Sequence, residues 1–115
     1  MEYLLLIYGD ETHWPSMTPA EQERGAAAYG AYTEALRKAG VLRGASRLQP
    51  TSTATTVRVS NDKAQVLDGP YAESKEQLGG YYLIDAADLD AAISWARRCP
   101  GASHGVVEVR PLWTM

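Results

Sequence analysis

The sequence holds a single cysteine, Cys99, so it can form no internal disulfide. A disulfide-stapled secreted domain is excluded, and nothing in the thiol usage points to an oxidising compartment. Spacings of the Cys-x-x-Cys or His-x-x-x-His kind are absent, as are a phosphate-binding loop and a dinucleotide fingerprint. Neither a metal nor a cofactor is therefore expected. There is no Lys/Arg-rich run, and the formal net charge is -3. Direct nucleic-acid binding and docking on an anionic membrane both need a concentrated positive footprint, so neither is expected. The longest apolar run covers residues 3–8, far below the ~20 residues of a membrane span. The amino terminus has no basic stretch followed by a cleavage site, which makes the cytoplasm the expected location.

What is present fits one domain over residues 1–115, long enough to bury a core of its own and too short for two. Residues 1–8 are rich in strand formers, with Tyr3, Leu5 and Ile7 on one alternating face and Leu4, Leu6 and Tyr8 on the other. Such a strand is covered twice. Residues 9–16 read as a polar loop beyond its carboxyl end, a place where sites are often built. Thr18, Pro19 and Glu21 spell a helix start with a capping box. Tyr29, Tyr32, Leu36 and Ala39 carry its apolar stripe, Gly40 stops it, and Ala26, Ala27 and Ala28 keep it slim enough for close approach to a sheet.

A short strand follows over residues 41–48, then a hairpin of residues 53–59 and 64–67 around the turn at 60–63, with Val57 and Val59 expected inward and Arg58 on the opposite face. Residues 81–85 form a further strand. Asp88 caps a second helix whose stripe is expected to be Leu89, Ala92, Ile93 and Ala96, with Arg97 and Arg98 in its last turn and Pro100-Gly101 after it. The last strand, 105–110, puts Val107 and Val109 on one face and Val106, Glu108 and Arg110 on the other.

This order is βαββαβ with an added hairpin, a ferredoxin-like α+β domain. Two helices cover one face of such a sheet, yet apolar residues populate both faces. A second copy of the chain, packed sheet against sheet, is the economical cover, so a homodimer is expected.

The densest stretch is Asp68-Gly69-Pro70-Tyr71-Ala72-Glu73-Ser74-Lys75-Glu76-Gln77-Leu78-Gly79-Gly80-Tyr81-Tyr82, where a tight turn and a knot of charges run into an apolar strand. It resembles the signature of the YCII-related, DGPF-type domains, and the resemblance extends over nearly the whole chain. Residues 1–8, 39–42 and 54–58, Trp95-Ala96 before Cys99-Pro100, and residues 107–111 fall where such domains have similar segments. Tyr71 stands where the name-giving motif has phenylalanine, which adds a hydroxyl at the turn. The resemblance implies a ferredoxin-like protomer that pairs into a dimeric α/β barrel with a cleft in each protomer. It also implies two kinds of role: enzymes on small organic acids or aromatic-ring breakdown products that use an aspartate and a histidine, or regulatory partners of alternative sigma factors.

The candidate chemistry centres on Asp68 and His13. A carboxylate at a strand end can act as a general base if burial raises its pKa, and an imidazole can exchange protons with Asp10 or Asp68. The plainer alternative is an Asx turn at Asp68 and a solvated His13. Arg58 and Arg110 either hold a carboxylated ligand or pair with an acid such as Glu108 or Glu73, the plainer alternative being an intersubunit salt bridge. Glu73 and Lys75 are ligand gates or a solvated face. Tyr8, Tyr81 and Tyr82 line an aromatic pocket or an interface, and Tyr71 brings its hydroxyl to the turn. Two functions compete: a small-molecule enzyme with Asp68 and His13 as an acid/base pair, and a non-catalytic dimeric module that binds a ligand or another protein.

Overall fold

Alternation along β1 (Glu2–Gly9) decides the layering: Tyr3 and Leu5 are buried, while Leu4 and Leu6 between them are half-buried. In this computed structural model, which describes residues 1–114, β1 is the second-to-edge strand of an antiparallel sheet ordered β2-β5-β1-β6. The other strands of that sheet are β2 (Leu42–Arg47), β5 (Gln77–Asp85) and β6 (Val106–Pro111). A separate two-stranded hairpin pairs β3 (Thr55–Ser60) with β4 (Lys63–Asp68). Three helices complete the chain: α1 (His13–Ser16), α2 (Pro19–Lys38) and α3 (Leu89–Arg98). The fold is the expected ferredoxin-like α+β arrangement.

Local signals set the helix ends. The Thr18 hydroxyl accepts from the Glu21 N–H at 3.2 Å, and the Glu21 carboxylate accepts from the Thr18 N–H at 2.9 Å, closing the capping box. These bonds hold the Glu21 carboxyl below its ordinary value. Gly40 ends α2 with φ +74°. Asp88 caps α3 by accepting from the Ala91 N–H at 2.8 Å, and Arg97 and Arg98 lie in the last turn.

The core lies between one sheet face and helices α2 and α3, and is built from Tyr3, Leu5, Tyr32, Leu36, Tyr82, Ile84, Ala92, Ala96 and Cys99. The chain has no phenylalanine, so tyrosine fills the aromatic positions and each buried hydroxyl needs a partner. Tyr32 meets Tyr82 edge-on at 5.2 Å. The Tyr32 hydroxyl donates to the Trp95 carbonyl at 2.7 Å, and the Tyr82 hydroxyl pairs with that of Thr33 at 2.7 Å. Burial pushes both phenols above the ordinary tyrosine value. Cys99, at the end of α3, is buried too, and burial raises its thiol.

Several expectations need correction. Residues 9–16 are not all loop, since His13–Ser16 forms the short helix α1. The residue that permits close approach to α2 is Gly25, where an added Cβ would come within 3.0 Å of the Trp14 ring, while Ala26, Ala27 and Ala28 face outward. On α3 the stripe is rotated: Ala92 and Ala96 are buried as expected, but Leu89 and Ile93 are exposed and Ala91 and Trp95 pack instead. Thr53, expected to open a strand, ends a 3-10 turn over residues 51–53 instead, so β3 begins at Thr55, and β5 begins at Gln77, earlier than residue 81.

The largest correction concerns the hairpin. Val57 and Val59 do not point inward, because β3 and β4 stand away from the sheet and both valines are exposed. The radius of gyration is 16.1 Å, against about 13 Å for a compact domain of this size. The molecule is flat, with extents of 48 × 44 × 19 Å.

Candidate functional site

The turn at Asp68 is built as its residue types require. Gly69 has φ +102°, a value that L side chains rarely adopt, and its N–H donates to the Ala54 carbonyl at 2.7 Å while its own carbonyl accepts from the Thr56 hydroxyl at 2.8 Å. These bonds tie the root of the hairpin together. Gly69→Ala is expected to lower unfolding stability by about 1 kcal/mol or more, and Asp68→Asn to leave it within about 0.5 kcal/mol, as read from urea midpoints. Equal midpoints for the two variants would show that the turn does not depend on the left-handed conformation. The Asp68 side chain is exposed and, among the described residues, accepts no hydrogen bond, so the expected Asx closure is replaced by backbone bonding.

Between this turn and the sheet lies an open groove of about 460 Å³. Its wall comes from four stretches of chain: Tyr8 at the end of β1, residues 48–51 with Thr53 and Ala54, Pro70 with Ala72 and Ser74, and Gln77 with Leu78 at the start of β5. Gly80 lets this end of β5 run close beside β2, for a Cβ there would meet the Ser46 carbonyl oxygen at 2.8 Å.

A hydrogen-bonded brace ties together Thr51, Ser74 and Gln77 of the groove wall. Half-buried Glu11 accepts from the Thr51 N–H at 3.0 Å and from its hydroxyl at 2.6 Å. The Glu11 N–H donates to Gln77 Oε1 at 3.0 Å, and Gln77 Nε2 donates to the Ser74 carbonyl at 2.7 Å. Three separated segments are thereby joined through Glu11. Tyr8, which also lines the groove, makes no side-chain hydrogen bond to a described residue.

The sequence candidates do not converge on this groove. Tyr8 lines it, but Asp68 and His13 do not. No hydrogen bond joins those two residues among the described ones. The exposed His13 ring lies instead 5.8 Å from that of His104. Asp10 bonds Thr12, accepting from its N–H at 2.9 Å and its hydroxyl at 2.6 Å, and these bonds hold its carboxyl below the ordinary value. Arg58 sits 5.6 Å over the ring of Tyr71, which is itself exposed on the turn. Arg110 pairs with Glu108 at 3.3 Å on the edge strand β6. Glu73 and Lys75 are exposed and make no ion pair among the described residues. Tyr81 lies on the outer sheet face opposite Leu6, and Tyr82 belongs to the core.

Sequence reasoning missed Glu11, Thr51 and Gln77, which form the brace. Only Glu11 had a signal, as an acid in the loop beyond β1. Among the described residues, no group of three or more His, Cys, Asp and Glu side chains could hold a metal ion, and no helix is long and apolar enough to cross a membrane.

Comparison with known proteins agrees with the pattern carried by the turn. The chain is 44% identical over 114 residues to an uncharacterized protein of Rhizobium meliloti (strain 1021), an alignment that covers 97% of this chain and 92% of that relative. The model of the YCII-related domain matches residues 1–115, and the chain belongs to that family.

Proposed function

We propose that this chain works as a homodimer that binds a small aromatic or otherwise apolar organic molecule in the groove beside Tyr8, as a binding module and not as an Asp68/His13 proton-transfer catalyst. The observation that carries this reading is the wall itself: its lining residues are apolar or neutral, and none bears a formal charge. A general base must lie within hydrogen-bond reach of the proton it takes, and neither Asp68 nor His13 stands at the wall. A carboxylated ligand would call for a cation, yet Arg58, Lys75 and Arg110 lie elsewhere. Leu48, Pro50, Pro70 and Leu78 offer an apolar bed, and the Tyr8 hydroxyl offers one directional contact.

Dimerisation has its own support. On the sheet face away from the helices, Leu4 stands opposite Leu83 and Leu6 opposite Tyr81, and both helices pack on the other face. These side chains are half-buried within the protomer, and no helix among the described residues packs on them; a second copy placed sheet to sheet would bury them further. A single, buried thiol suits a cytoplasmic setting.

A thermal-shift panel tests the ligand reading. Neutral aromatics such as phenol, indole and anisole are expected to raise the melting temperature by mass action, and Leu78→Arg is expected to abolish the rise. A flat panel, or a rise produced by carboxylates alone, overturns the proposal.

A further inference from the structure

Among the described residues, the hairpin of β3 and β4 pairs with no strand of the four-stranded sheet. Its register sets Val57 opposite Val66 and Val59 opposite Ala64, so the pleat gathers these four on one face. Arg58, Gln65, Ser60 and Lys63 lie on the other, together with the Thr56–Leu67 pair nearer the root, where Leu67 is 59% exposed. Val57, Val59 and Val66 are 61%, 66% and 64% exposed. One exposed valine is ordinary, but a contiguous set on one face of a strand pair is a surface built to be covered.

The arm is a preformed element, not a slack loop. At its tip Asn61 and Asp62 have φ 52° and 63°, the pair of positive values that a type I′ turn requires, which fixes register and twist locally. At its root, the bonds between Gly69, Ala54 and Thr56 hold both strands. Its polar face is braced by Arg58 over Tyr71, which leaves the valine face free. A two-stranded hairpin alone in water is marginally stable at best, so covering its valine face would stabilise it.

We propose that this hairpin is an exchange arm, seating its valine face on a second copy of the chain while receiving the partner's arm in return. The proposal rests on the homodimer reading above. Area argues for this occupant. The outer face of a four-stranded sheet measures about 20 Å by 20 Å, on the order of 400 Å² per protomer, whereas a stable pair of standard size covers about 800 Å² per partner. Sheet-to-sheet contact alone therefore provides about half an interface. The arm face adds about 200 Å², and two-fold symmetry counts it twice for each protomer, once as the arm given and once as the arm received. Reciprocal exchange thus supplies the missing half from surface this chain already exposes.

The experiment measures the dimer dissociation constant of the full chain by sedimentation equilibrium, with circular dichroism as the check on folding. Val57→Thr/Val66→Thr keeps β-branched strand formers while removing the apolar contact, and is expected to weaken the dimer at least about 100-fold, because each substitution acts on both arms. Lys63→Thr/Gln65→Thr changes the opposite face and is expected to leave dissociation within about threefold. If the double valine variant does not fold, Val59→Thr alone provides the test, with an expected weakening of about tenfold. A wild-type dimer whose dissociation is equally insensitive to changes on both faces overturns the arm while leaving the sheet-to-sheet dimer standing. A wild-type monomer at micromolar concentration overturns both.

Discussion

Gly105→Ala is expected to destabilise the protomer by roughly 3 kcal/mol or more, while Gly30→Ala, which adds the same methyl group, is expected to stabilise it by about 0.5–1 kcal/mol. A Cβ at Gly105 would lie 2.1 Å from the Tyr8 carbonyl oxygen and 3.0 Å from the Gly9 Cα. Those are backbone atoms of β1, which is hydrogen-bonded to β5 on one side and β6 on the other and cannot step aside. Gly30 is exposed on α2 with nothing within 4 Å of its would-be Cβ. There the change only removes freedom from the unfolded chain. Urea unfolding of both variants is the measurement, and a Gly105→Ala midpoint equal to wild type would mean that β1 and β6 do not approach as described.

Neighbouring leucines on β1 should respond to the same substitution in opposite ways. Leu5 is fully buried among Tyr82, Val109 and the helices. Leu5→Asp places an unpaired carboxylate in that layer at a cost of several kcal/mol, comparable with the whole stability of a small domain, and is expected to abolish the cooperative transition. Leu6, half-buried, points to the sheet face away from the core, opposite Tyr81 and Glu108. Leu6→Asp is expected to leave a folded protomer and to dissociate the proposed dimer, since the new charge both needs solvent and faces Glu108. Circular dichroism and light scattering separate the outcomes. Two folded dimers, or two unfolded chains, would show that the faces of β1 are misassigned.

These contrasts mark how far the sequence could be read. Helix ends were legible because their determinants lie within a few residues: Thr18 with Glu21, Gly40, and Asp88 with Ala91. The faces of β1 were legible because a period of two groups its side chains whatever else the chain does. That period does not say which face is covered, or by what. Val57 and Val59 were correctly grouped on one face but given the wrong surroundings, because a hairpin that leaves the sheet has the same alternation as one that stays. On α3, spacings of three and four fit two rotations of the helix. Leu89 and Ile93 drew the stripe to themselves, although small Ala92 and Ala96 take the position closest to the sheet. The turn at Gly69 was legible from residue type, but the groove was not. Its wall is assembled from four distant stretches of ordinary residues, and its brace of Glu11, Thr51 and Gln77 exists only once β1, the chain before β3 and the start of β5 are brought together.

Cys99 turns the packing of α3 into something that can be timed. The thiol is 2% exposed, so burial shields it from reagent and also suppresses the thiolate that would react. Modification by a water-soluble disulfide reagent must therefore wait for α3 to part from the sheet. With reagent in excess, the labelling rate reports how often that parting occurs. As the sole cysteine of the chain, it gives a signal from one place, a natural clock for the opening of the helix layer that needs no engineered probe.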